Sequence, residues 1–371
     1  MRVLVDGIPY TIGGIGTLVV NIADYNHKIN GPYEFEFLVP PGSAYIPILQ
    51  RKGYTYYVVP KLRNFFAYRK FIKQVVTNKS YDFLWYNNTS KANLTLPLIA
   101  KKYGNMRIIV HPHGVAPEEH GIKRLILSTL NQLHERKLFQ LVDIPFACAE
   151  EAADYYYRNN QALRKKVTII RNGIDAEQFA FSEGKRAEIR AALGLSGDDV
   201  LLCAVGRLTA VKNYIFLINL LNRLDSHYKL MLIGEGEERP VLEAQIEEDH
   251  LQYRTFLLGK QSNVSWYLSA ADFFLMPSLH EGMPFSAIEA QANGLQCFVS
   301  DQVSNEVNIS GLVRFLPLEI DNWELTVIGS GRTEHRERFV RRITEAGYSI
   351  ATSYSLFRKS VVEGMHNAKE L

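Results

Sequence analysis

PSLHEGMPFSAIEAQANGLQCFVS, residues 277–300, is the stretch around which the rest of the chain has to be arranged. It sets Glu281 in a Gly/Pro loop and Glu289 eight residues on, inside a short predicted helix. Apolar runs flank it, Asp272 to Met276 before the loop and Gln296 to Ser300 after Gly294, and both read as buried parallel strands. A strand, a loop whose amides lie free at a helix start, then helix and strand is a geometry that binds anions. Ser286 and Glu289 have the spacing of a capping box, in which each side chain satisfies an amide at the helix start. Glu281, between His280 and Gly282, has no helix to cap.

At 371 residues the length favours two domains, each able to bury a full core. A composition of 47% hydrophobic and 22% charged residues excludes a disordered or fibrous class, and a net charge of +3 is too mild for a general nucleic-acid binder. No apolar run approaches the roughly 18 residues that span a bilayer. Met1 leads directly into the strand-like Arg2 to Asp6, leaving no room for a secretory signal, so a cytoplasmic protein is expected. Cys148, Cys203 and Cys297 sit in apolar surroundings without metal-ligand spacing and read as reduced core residues.

The chain opens with a strand (RVLVD), the loop GIPYTIGGIG and a helix predicted from Thr17. Gly13, Gly14 and Gly16 fall where the backbone has to approach something closely, either a diphosphate at the helix start or simply a tight turn. A dinucleotide fingerprint would start at Gly14 and Gly16, but Val19 stands in place of its third glycine, which argues against NAD. Strands are predicted at Glu34 to Pro40, Tyr54 to Pro60, Phe83 to Tyr86 and Arg107 to His111, with helical patterns between them, which implies a parallel sheet covered on both faces. Residues 61–73, KLRNFFAYRKFIK, mix five cations with four aromatic rings. As a helix they would either rest on an anionic membrane surface or turn an aromatic stripe to the core and a basic back to water. HPHG follows the fifth strand and puts His113 at a carboxyl end, where open α/β sheets place ligand groups; His111 is the alternative.

A strand at Lys166 to Arg171 and the turn NGID mark the domain boundary, giving 1–171 as first domain and 172–349 as second. The second domain carries Arg207 and Lys212 in GRLTAVKN, behind the predicted strand Val200 to Val205. Two fixed cations can neutralise a departing diphosphate without a metal, and no Asp-x-Asp pair occurs in the chain to clamp a bridging Mg²⁺ or Mn²⁺. The basic run RTEHRERFVRRI reads as a solvated helix face, and Tyr348 to Val362 as a last apolar helix.

The paired glutamates in register with Gly282, Pro284 and Gly294 resemble the signature of the retaining family-4 glycosyltransferases, and within them the enzymes that build bacterial capsule or exopolysaccharide. The resemblance is dense from Asn172 to about Leu318 and thin in the first domain. It implies an α/β GT-B fold, two facing Rossmann-like domains with parallel sheets and an interdomain cleft, the C-terminal helix, about 350–371, crossing back to the first. It implies a donor-binding second domain and an acceptor-binding first. Glu281 and His113 would face the donor sugar, and Arg207 and Lys212 the diphosphate, with the amides near Phe285 and Ser286. Lys260 and Gln261 would lie against the nucleobase through backbone groups. Glu289 would take the ribose hydroxyls, a role its chemistry suits because carboxylates accept well from paired hydroxyls; against the capping box, spacing alone leaves the two readings level.

The expectation is a retaining, metal-independent hexosyltransferase that needs no cofactor and moves a sugar from a nucleotide diphosphate, UDP foremost, to a glycan hydroxyl. The acceptor is lipid-linked in one version, with peripheral contact at the inner membrane face. The absence of two carboxylates assigned to opposite faces of the sugar fits a reaction that leans on leaving-group stabilisation. Alternatives are a nucleotide-sugar epimerase or phosphorylase of the same architecture, and a non-catalytic two-lobed sugar-binding protein.

Overall fold

The apolar runs become the strands of two parallel sheets in a computed structural model that describes residues 1–113 and 121–366. Gly114, which closes HPHG, and residues 367–371 of the expected returning segment lie outside the described residues. The chain divides into one unit of Met1–Gly173 with Ile350 onward, and a second of Ile174–Ser349.

In the first unit the strands are β1 (Arg2–Asp6), β2 (Glu34–Val39), β3 (Tyr56–Val58), β4 (Phe83–Asn88), β5 (Arg107–Pro112), β6 (Ile144–Ala147) and β7 (Thr168–Ile169). Among the described residues they lie in the order β3-β2-β1-β4-β5-β6-β7, every pairing parallel. Side chains alternate across a strand, so β1 feeds two cores. Val3 and Val5 pack with Leu18 and Ile22 of the helix Gly14–Lys28, while Leu4 packs with Tyr68 and Ile72 of the helix Phe65–Asn78.

The second unit repeats the plan with β8 (Val200–Val205), β9 (Tyr228–Ile233), β10 (Thr255–Leu257), β11 (Phe273–Met276), β12 (Gln296–Ser300) and β13 (Val313–Leu316), in the order β10-β9-β8-β11-β12-β13. Here Leu202 and Ala204 face the helix Tyr214–Arg223, while Leu201 and Cys203 face the helices Val264–Ala270 and Phe285–Ala292. Strand order reverses between β1 and β4 in the first sheet and between β8 and β11 in the second. Open α/β sheets bind ligands outside the strand ends at such points.

The helix Ile350–His366 belongs to the first unit. Phe357, fully buried, packs against Trp85 at 4.8 Å and beside Tyr33, Phe35 and Phe146, and Tyr354 donates to Asn26 Oδ1 at 2.9 Å. The helix thus covers the face of the first sheet that Val3 and Val5 leave apolar.

Some expectations are corrected. The first helix begins at Gly14, not Thr17, and the boundary strand shrinks to Thr168–Ile169. Residues 332–343 are not a solvated helix face. They break into a turn, Arg336–Arg338, and a short helix, Phe339–Glu345, that buries Phe339, Val340 and Ile343. Arg336 is itself buried and donates to the carbonyls of Leu268, Ala271 and Asn293, capping the carboxyl end of the Val264–Ala270 helix, where a cation is favoured. Arg186, Arg190 and Arg332 converge on buried Asp272 beside it. Arg186 and Arg190 share a helix face at i, i+4 spacing, and only the fold brings Arg332 to them. Cys203 and Cys297 are buried thiols pushed upward by burial; Cys148 is half-buried.

Candidate functional site

The second unit presents its candidate residues on three loops at the carboxyl ends of its strands. The loop after β8 is pressed against the loop after β9: a Cβ on Gly234 would stand 1.8 Å from Gly206 O, and one on Gly236 would meet Leu208 O at 2.2 Å. Only glycine allows backbones to close in this way, and Gly206 and Gly234 also have positive φ of 158° and 147°. Leu208 N–H donates to Glu235 O, and Glu238 N–H to Leu208 O, completing the staple.

On its other side the same loop is tied to the paired-glutamate loop, across the point where strand order reverses. Leu279 N–H donates to Val211 O at 2.8 Å, and Asn213, left-handed at φ 54°, donates through Nδ2 to Pro277 O at 3.2 Å. This brings Lys212 Nζ to 2.6 Å from Glu281 Oε1, with both side chains mostly buried. Glu281 therefore has a structural partner that sequence position did not suggest. Arg207 is exposed and, among the described residues, forms no ion pair.

The capping box is not made. Pro284 occupies the N-cap, Ser286 is already the second residue of the helix, and no side chain caps it. The first N–H groups of this helix, at Phe285 and Ser286, have no intrahelical acceptor. Glu289 lies in the interior of the helix, and burial pushes its carboxyl up to about 7. Lys260 is exposed, while the Gln261 side chain is occupied, donating to Leu258 O at 2.6 Å and accepting from Tyr267 OH.

In the first unit the glycine loop is explained mostly by packing. A Cβ on Gly16 would fall 2.3 Å from the Tyr45 ring, and the Tyr45 hydroxyl accepts from Gly13 N–H and donates to Gly13 O. Gly13 and Gly16 thus serve Tyr45, and Gly14 opens the helix.

His113 is buried at the carboxyl end of β5, its Nε2 3.0 Å from Asn87 Oδ1. Asn87 donates through Nδ2 to Asp6 O, so its oxygen is the acceptor and His113 carries its proton on Nε2. Burial holds His113 down at about 3, so the ring is neutral and offers Nδ1 as an acceptor. It suits a sugar hydroxyl better than a phosphate. His111 lies on the same face, ring centroids 4.2 Å apart, stacked on Trp85 and fully buried. It is a core residue. Asn87, which holds His113, was not anticipated; an asparagine at the end of a strand has no spacing to mark it.

Two Rossmann-like parallel-sheet units, one bearing cations and carboxylates at its reversal point, constitute the GT-B architecture of nucleotide-sugar-dependent glycosyltransferases. Comparison with known proteins agrees. Residues 12–178 match the family described as Glycosyltransferase Family 4, and residues 185–310 the family described as Glycosyl transferases group 1. The chain belongs to the family-4, group-1 glycosyltransferases.

EpsF of Bacillus subtilis (strain 168), named as a glycosyltransferase, is 32% identical over 54% of this chain and 55% of its own length. The Escherichia coli UDP-Gal:alpha-D-GlcNAc-diphosphoundecaprenol alpha-1,3-galactosyltransferase is 29% identical over 62% of this chain and 60% of its own. The chain thus spans little more than half the length of these curated relatives. Anabaena HepE, solved in complex with UDP, superposes with a TM-score of 0.75 over 98% of this chain and 100% of its own, at 15% identity.

Proposed function

We propose that the chain is a retaining, metal-independent glycosyltransferase that moves a hexose from a UDP-sugar to a hydroxyl of a cell-surface glycan. The observation that carries this reading is the Lys212–Glu281 pair at the strand reversal of the second unit, with Arg207 on the same loop as Lys212 and the uncapped start of the Phe285–Ala292 helix behind Glu281. Lys212 and Arg207 neutralise the charge that grows on the diphosphate as the glycosidic bond breaks. Glu281 accepts from the donor sugar's hydroxyls, and Glu289 from those of the ribose. His113, neutral, accepts from a sugar hydroxyl. The acceptor's proton passes to the departing phosphate oxygen, so the protein supplies no strong base. That relatives act with UDP-sugars and on diphosphoundecaprenol-linked acceptors supports UDP as nucleotide and a lipid-linked acceptor here.

The basic aromatic segment supports contact with a membrane surface. Tyr68 and Ile72 turn to the core, but Leu62, Phe65 and Phe66 stand in solvent, Phe66 at 84% exposure, among exposed Lys61, Arg63, Arg69 and Lys70. No acidic residue lies between 61 and 81. No helix among the described residues is long and apolar enough to cross a bilayer.

The test is UDP release from a panel of UDP-hexoses, with and without EDTA, followed by the anomeric configuration of the product. Release that persists in chelator with retention is expected. A strict metal requirement or inversion contradicts the reading.

A further inference from the structure

The first sheet has its own strand reversal, between β1 and β4, and one carboxyl stands at it. Asp6 is the last residue of β1. The chain leaves it through Gly7, at φ +93°, where a Cβ would stand 2.1 Å from Asn87 O, so the ends of β1 and β4 are pressed backbone to backbone. Asn87 Nδ2 donates to Asp6 O at 3.0 Å while its Oδ1 accepts from His113. A single amide therefore fixes both the backbone of Asp6 and the ring of His113.

The two side chains lie on different faces. Alternation along β1 puts Asp6 with Leu4, on the face covered by the Phe65–Asn78 helix. Tyr68 of that helix and Tyr86 of β4 are within electrostatic reach of it. The Tyr86 hydroxyl is committed elsewhere, donating to Asn93 O at 2.7 Å. The Asp6 carboxyl accepts from Gly7 N–H, and among the described residues no Lys, Arg or His pairs with it. Burial without a cation lifts it to about 7. A carboxyl held in that state works against stability, and strand ends at a reversal point are where such groups serve ligands.

We propose that Asp6 is the acceptor-binding carboxylate, receiving hydroxyls of the incoming sugar on the face of the first sheet opposite His113. This rests on the glycosyltransferase reading and deepens it. The same helix that shelters Asp6 with Tyr68 carries the exposed Phe65 and Phe66 on its first turn, so a lipid-linked sugar held at that turn would approach Asp6 along one element. The proton of the reacting hydroxyl still goes to the departing phosphate; Asp6 orients and does not transfer.

The experiment uses the full chain and Asp6→Asn, which keeps the shape of the side chain. UDP release is measured with α-N-acetylglucosaminyl diphosphate on a short alkyl chain as acceptor probe, and thermal melting is recorded for both proteins. The expected result is at least a tenfold rise in acceptor KM (about one pKa unit's worth of interaction), with donor KM moving less than twofold and the melting temperature equal or higher. An unchanged acceptor KM, or a lowered melting temperature, overturns the proposal by making Asp6 structural. A wild type that binds UDP but is not stimulated by the probe also overturns the proposal. A wild type that binds no UDP and releases none is a different outcome: it removes the glycosyltransferase reading, and Asp6 with it.

Discussion

Glu289 and Asp6 are two half-buried carboxyls that pair with no cation among the described residues, and desolvation lifts both to about 7. Their folded-state values lie above those of the unfolded chain, so the folded protein binds protons more tightly in this range. Stability is then greatest where both are protonated and declines as pH rises from the ordinary carboxyl range through about 7. Chemical denaturation at stepped pH should show this decline, and Glu289→Gln should remove part of it. The same change separates roles. If Glu289 takes ribose hydroxyls as a carboxylate, the wild type gains UDP affinity over Glu289→Gln as pH rises through about 7. A constant ratio of affinities makes Glu289 structural.

The apolar runs before them made the positions of Arg207, Lys212 and Glu281 behind strands legible in the sequence, while Glu289 lies inside the helix Phe285–Ala292. Of the two readings of Glu289, the capping box fails because Pro284, one residue before the helix, already holds the N-cap. The pairing of Glu281 with Lys212 depends on a loop-to-loop hydrogen bond, Leu279 to Val211, that no local pattern encodes.

At the scale of elements, glycines separate packing from ligand binding. Gly16→Ala would drive a methyl into Tyr45, so it should lower the melting temperature, and Tyr45→Ala, itself destabilising, should absorb most of that added cost in a double-mutant cycle. Additive losses would place the role of Gly16 elsewhere. Gly234→Ala strikes backbone at Gly206 O and should displace the loop that carries Lys212, weakening UDP binding without touching any proposed ligand contact. Alternation of apolar residues revealed the central strands well. Edges fared worse: β7 keeps two residues in the ladder, where the apolar run Lys166 to Arg171 promised six. A sheet edge is set by what covers it, here Ser360 of the last helix bonded to Thr168.

For the whole molecule, the last helix is part of the first unit's core. Phe357→Ala should cost about 3–5 kcal/mol, read from denaturant unfolding, because its ring is fully enclosed by other aromatics. A loss below about 1 kcal/mol would mean that the face it covers can collapse without it. Vesicle sedimentation checks the exposed turn: the chain should pellet with phosphatidylglycerol vesicles and not with phosphatidylcholine alone, and Phe65→Ala with Phe66→Ala should release it. Two domains could be anticipated from length and from repeated strand and helix alternation.

Everything in the functional reading depends on Lys212 and Arg207 holding the diphosphate without a metal. Calorimetric titration of UDP in EDTA, into the wild type and Lys212→Ala, tests it most directly. Tight binding to the wild type in chelator is predicted, with affinity for Lys212→Ala lowered about 10²-fold or more, on the scale of a lost charge-stabilising contact. Equal affinities for the two proteins, or wild-type binding that vanishes with EDTA, would contradict it.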